Sequence, residues 1–151
     1  MIDLDPVNTR IADIKTAGNK KRFLVVGDAI GYAAATKKGA MLGDGPNAYV
    51  LPVADLPAAI PPEGGPQGVY SEFKVMIFKR LFGNATGTGV NKELIAIEKD
   101  LLATLLGWSP NENLGPITFA GAGLADFADG ELWWGMTFRT TYGLMPTIRS
   151  F

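Results

Sequence analysis

Leu132-Trp133-Trp134-Gly135-Met136-Thr137-Phe138-Arg139-Thr140-Thr141-Tyr142-Gly143-Leu144 decides the fold class, because it alternates at period two over its whole length. Leu132, Trp134, Met136, Phe138, Thr140, Tyr142 and Leu144 fall on one side of an extended chain and predict a core face. Trp133, Gly135, Thr137, Arg139, Thr141 and Gly143 fall on the other. Asp129-Gly130 immediately before it is a hairpin-turn pair, since Gly and Asp tolerate the positive φ of a tight turn between twisted strands. The expected partner strand is short, about Leu124 to Phe127, within a meander of three strands.

Working back along the chain, Leu94, Ile95, Ile97, Leu101, Leu102, Leu105 and Leu106 fill about half of a helical wheel and predict an amphipathic helix. Asn91 is its N-cap candidate. Gly107 stops it and Pro110 prevents its resumption. Glu98 interrupts the apolar arc between the directions of Leu94 and Leu102. Either the arc is wide and Glu98 reaches past its edge to water, or the carboxylate is aimed at an arginine in its own sheet or in a neighbouring subunit.

Before that helix the signals are shorter. From Pro6 to Thr16, Val7, Ile11 and Ile14 recur at helical spacing, and Asp5-Pro6 resembles a helix start with proline at the first position, predicting a short amphipathic helix. Phe23 to Val26 reads as a strand ended by Gly27-Asp28, Ala29 to Lys37 as a helix weakened by Gly31, and Ala48 to Val53 as a segment whose Pro52 favours an edge or a strand end. Tyr70 to Phe82 alternates again, with Phe73, Val75, Ile77 and Leu81 on one side and Tyr70, Glu72, Lys74, Met76, Phe78 and Arg80 on the other. Apolar groups on both sides predict a central strand that is covered twice or meets a partner. Long loops are expected near 39–47, 55–68 and 83–90. The whole reads as a single α+β domain over residues 1–151, a mostly antiparallel, mixed sheet packed with two to three helices.

With 151 residues the chain can bury about 70% of its unfolded surface without staples. It has no cysteine and no histidine, which removes thiolate chemistry, Ser–His–Asp and Cys–His arrangements, and the usual zinc sites. A net charge of −1 supplies no basic field for nucleic acid, and Lys20-Lys21-Arg22 reads as a solvated loop. No stretch approaches a membrane span, and the start lacks the pattern of a signal peptide; the expectation is a soluble protein made in a cytoplasm. Gly83-Asn84-Ala85-Thr86-Gly87-Thr88-Gly89 resembles a phosphate loop superficially but lacks the Lys-Ser/Thr pair that would reach phosphate and Mg²⁺. Asp126, Asp129 and Glu131 cluster at the turn without the spacing of a Ca²⁺ loop. No catalytic, cofactor-binding or metal-binding residue is assigned, and no cofactor is expected.

Adjacent residues of a strand point to opposite faces. With Trp134 in the core, Trp133 either lies under a helix or marks an interface. The same choice applies to Met76 and Phe78. With Glu98, Arg80 and Arg139 these form the set of candidate interface residues.

Taken in order, Tyr49-Val50-Leu51-Pro52, the Pro/Gly-rich segment leading to Gln67, the strand to Phe82, the helix exit Leu105-Leu106-Gly107-Trp108-Ser109-Pro110, Pro116-Ile117-Thr118-Phe119-Ala120-Gly121-Ala122 and the closing aromatic strand resemble phage tail terminator (tail completion) proteins of long-tailed phages and Mu-like prophages. The resemblance spans about residues 47 to 144, and the Gly-Trp-Ser-Pro exit and the last strand are its most specific parts. It implies a structural protein of the virion tail at the neck end, synthesised in the bacterial host cytoplasm. Copies would form a hexameric ring that caps the tail tube and joins the head. Its partners would be further copies of itself, the tail tube protein and a head-tail connector or neck protein, with no membrane and no sequence-specific nucleic acid, although DNA can pass through such a ring. Two other readings stand beside it: another neck or tail-tube component, and a small carboxylate/Mg²⁺-dependent enzyme.

Overall fold

The computed structural model describes residues 1–58, 67–80 and 88–144, with the backbone alone for 88–91. The elements run α1 (Asp5–Ala12), β1 (Val25–Gly27), α2 (Ala29–Ala35), β2 (Asn47–Pro57), β3 (Gln67–Arg80), α3 (Thr88–Leu105), β4 (Thr118–Ala128) and β5 (Glu131–Leu144). They form one α+β unit around a five-stranded sheet of order β1-β2-β3-β5-β4. β1 and β2 are parallel and all other neighbours antiparallel.

β3 and β5 are the centre of the sheet, each 14 residues long and paired from Gln67–Leu144 to Arg80–Glu131 without a break. Their alternation puts Phe73, Val75, Ile77, Met136 and Phe138 on one face, all fully buried. There they meet Val7 and Ile11 of α1, Ala48 and Val50 of β2, and Ile97, Leu101 and Leu105 of α3. Phe73 stacks on Phe138, ring centroids 5.5 Å apart. The opposite face carries a smaller cluster in which Tyr49, Met76, Phe78 and Trp133 pack against Ala35 of α2. Asp28 caps α2 by accepting from the Gly31 N–H at 2.9 Å.

The helix exit explains itself locally. Gly107, at φ 78°, turns the chain out of α3. Its N–H then donates to the Ile117 carbonyl at 3.0 Å, and the Ile117 N–H returns a bond to Trp108 at 2.9 Å. This two-bond clasp holds Ile117 in the core. Arg10 lies over the Trp108 ring at 4.5 Å and donates from Nε to the Thr104 carbonyl at 2.8 Å, tying α1 to the end of α3.

Three expectations need correction. The segment before the final turn is not a short strand following another but one 11-residue strand, β4, whose register shifts at Phe119/Gly121 and at Leu124/Asp126. Two bulges reset the alternation, so the sequence pattern breaks although the pairing continues. α3 starts at Thr88, placing Asn91 inside the helix. The expected loop near 39–47 ends at Pro46, and β2 and β3 run into both ends of 55–68. The centre of that loop, residues 81–82 and most of the Gly83–Gly89 segment lie outside the described residues. The Asp129-Gly130 turn has positive φ at both positions, 52° and 74°, as a type I′ hairpin requires.

Candidate assembly surface

The six residues singled out from sequence do not converge on one site. Met76, Phe78 and Trp133 are buried within the chain, beneath α2, where Trp133 meets Tyr32 edge-on at 5.4 Å and Phe78 at 5.1 Å. Of the two positions open to Trp133, the structure shows the one under a helix. Arg80 and Arg139 both face carboxylates directly across the β3–β5 ladder: Arg80 pairs with Glu131 at 2.8 Å and Arg139 with Glu72 at 2.5 Å. Arg139 stays 46% exposed on the half of that face beyond α2. Glu98 makes no ion pair among the described residues and lines an open groove of about 850 Å³.

That groove follows from arithmetic on the sheet. Strands lie about 4.8 Å apart and packed helices about 8–10 Å apart, so two helices side by side cover about four strands. On the α1/α3 face there are five strands and two helices. β4 is the strand left over, and none of its residues enters either core cluster. Phe119, Leu124 and Phe127, which pair opposite Phe138, Trp134 and Leu132 and so share the α3 side, are 41%, 59% and 55% exposed.

The groove beside β4 is lined by α3 residues and by Trp134 of β5. The apolar arc read from its sequence is wider than the core it covers: Ile97, Leu101 and Leu105 are buried, whereas Ile95 and Leu106 remain 66% and 43% exposed. Leu102 and Glu98 sit between, half-buried, and Trp134 forms the floor. The Trp134 Nε1–H is buried without a hydrogen-bond partner among the described residues. A buried donor left unpaired is uncommon and costs on the order of 1–3 kcal/mol. Sequence reasoning found Glu98 and the arc but not the groove, because periodicity shows which side of a helix is apolar and not how much of it the chain covers.

Among the described residues no group of three or more carboxylates is placed to hold a metal ion. Of the Asp126, Asp129 and Glu131 trio, Glu131 is engaged by Arg80 and Asp129 shapes the turn. No helix among the described residues is long and apolar enough to cross a membrane.

No curated protein shows significant similarity to the sequence. Among solved structures, a chain of the virion of a native gene transfer agent (GTA) particle is similar at 18% identity, over 78% of this chain and 78% of that chain, with a TM-score of 0.45. From residue 6 to residue 147 the sequence matches the phage tail terminator protein family, and the chain belongs to that family.

Proposed function

We propose that this protein acts by closing, with further copies of itself, into a ring that caps the head-proximal end of a phage tail tube. The ring, six-membered as the resemblance implies, stops tube polymerisation and offers the surface that a neck or connector protein joins. Family membership makes the chain a structural protein of a phage-type tail, and the uncovered α3–β4 face is the observation that carries the more specific reading. Monomeric proteins seldom leave a contiguous apolar patch of this kind in water, and such patches mark interfaces.

Within this reading the six candidates divide by what they reach. Glu98 and Arg139 stand on open surface and contact neighbours. Met76, Phe78 and Trp133 act one step removed, fixing α2 on the sheet, and Arg80 anchors the end of the β3–β5 ladder through Glu131. Electron microscopy of purified tails carrying a tagged copy tests the proposal. The expected result is label at one end of each tube, in a single closed ring. Label distributed along the tube would identify a tube subunit instead, since an unclosed head-to-tail contact polymerises without limit.

A further inference from the structure

We infer that the α3 groove receives Met41 of a second copy of this chain, held out on the loop that follows α2. This rests on the ring reading above and names the two parts that meet. Met41 is 98% exposed, more than any other large apolar residue of the described chain. The loop around it is nevertheless fixed. The Ala40 N–H donates to the Lys37 carbonyl at 3.1 Å, the Asn47 side chain to the Leu42 carbonyl at 3.2 Å, and the Arg80 N–H to the Asp44 carbonyl at 3.0 Å. Gly39 and Gly43 bracket the tip at φ 82° and 65°, which lets the chain turn sharply on both sides of Ala40-Met41-Leu42. Leu42 turns inward against the Tyr49–Trp133 cluster, and Met41 points to water.

An apolar side chain held in water at a loop tip is a knob, and the groove is a hole of matching chemistry. Ile95, Leu102 and Leu106 form its wall and Trp134 its floor, around a volume of about 850 Å³. Methionine suits an irregular apolar cleft because its side chain is unbranched, and its sulfur gains from contact with an aromatic ring such as that of Trp134. Within one copy the two parts cannot meet. Leu42 packs on the α2 side of the sheet with Trp133, whereas the groove opens on the α3 side beside Trp134.

Ile30, next in exposure at 80%, is a poorer occupant. Asp3, Asp5 and Asp28 stand around it and would face Glu98 in the groove, which like-charge repulsion opposes. Around Met41 the charge is mixed, with Lys37 and Lys38 at the base of the loop, Asp126 across from them and Asp44 beyond the tip. In the groove it is mixed too, with Glu98 beside Lys99. Charge therefore admits the contact, and the apolar fit selects it. A groove set against a second groove would pair two copies and stop. Loop into groove uses unlike parts, so each copy offers one to each neighbour and repetition of the contact can close a ring.

The chain has no cysteine, so introduced cysteines report contacts without background. Lys38→Cys and Lys99→Cys replace exposed charged residues, one beside the loop and one in the groove lining. Tails are purified from cells in which the variant is the sole copy and are treated with a short bis-maleimide. The double variant is expected to give a ladder of multiples of the chain, and either single variant no linked dimer. A dimer from a single variant, a link from position 99 to a different tail protein, or an unlinked double variant present in the tails would each overturn the pairing of loop and groove while leaving the ring reading intact. Absence of the wild-type chain from the tails would overturn both. Met41→Ser separates the knob from the fold. It is expected to leave the melting temperature of the isolated chain unchanged and to reduce incorporation into tails at least about tenfold, with Met41→Leu retaining it. Full incorporation of Met41→Ser, or an equal loss in Met41→Leu, would overturn the assignment of Met41.

Discussion

Trp133 and Trp134 are neighbours in sequence and opposite in circumstance. Trp134 carries the core parity of β5 yet is only half-buried, whereas Trp133, on the side that sequence left open, is the more enclosed of the two. Parity assigns a side chain to a face but not the depth of cover there, which depends on where α2 and α3 cross the sheet. Trp133→Ala is expected to lose about 3–5 kcal/mol of unfolding free energy, measured by urea denaturation, because it empties the centre of the Tyr32–Tyr49–Phe78 cluster. Glu98→Leu separates the two readings of that residue. On the interface reading it leaves the melting temperature of the isolated chain unchanged or raised and weakens ring assembly about tenfold, equivalent to about 1.4 kcal/mol, as read by native mass spectrometry or sedimentation. Unchanged assembly would return Glu98 to the role of a solvated helix residue.

At the scale of elements, β5, the start of α1 and the body and exit of α3 were legible because each obeys one period with punctuation at an end: Asp5-Pro6 opening α1, Gly107 after α3, Asp129-Gly130 before β5; Ile14, read as part of α1, lies beyond its end at Ala12. β4 was not. Thr-Phe-Ala-Gly-Ala-Gly-Leu-Ala-Asp-Phe-Ala is poor in strand formers and is bulged twice, so its extended state comes from pairing with β5 and not from its own pattern. Gly130→Val should therefore destabilise the β4–β5 hairpin by about 1–2 kcal/mol through the positive φ it forbids, visible as a lowered denaturation midpoint with unchanged m-value. Ile95→Ser isolates the groove wall of α3. At an exposed position it should change monomer stability by no more than about 0.5 kcal/mol while reducing assembly, and equal loss in both measurements would mean that Ile95 serves the fold alone.

For the whole molecule, five strands meet two covering helices on the α1/α3 face, and the proposed function rests on the strand left uncovered. Phe119, Leu124 and Phe127 of β4 remain exposed on the α3 side of the sheet. Absence of histidine and cysteine narrowed the chemistry from sequence, and the match over residues 6–147 places the chain in the phage tail terminator protein family. The most direct test is to delete the gene from a phage or prophage whose tails contain this protein and measure tail length and head attachment by electron microscopy. The account predicts overlong tubes without heads, restored to normal by the wild-type gene. Tails of normal length joined normally to heads would contradict it.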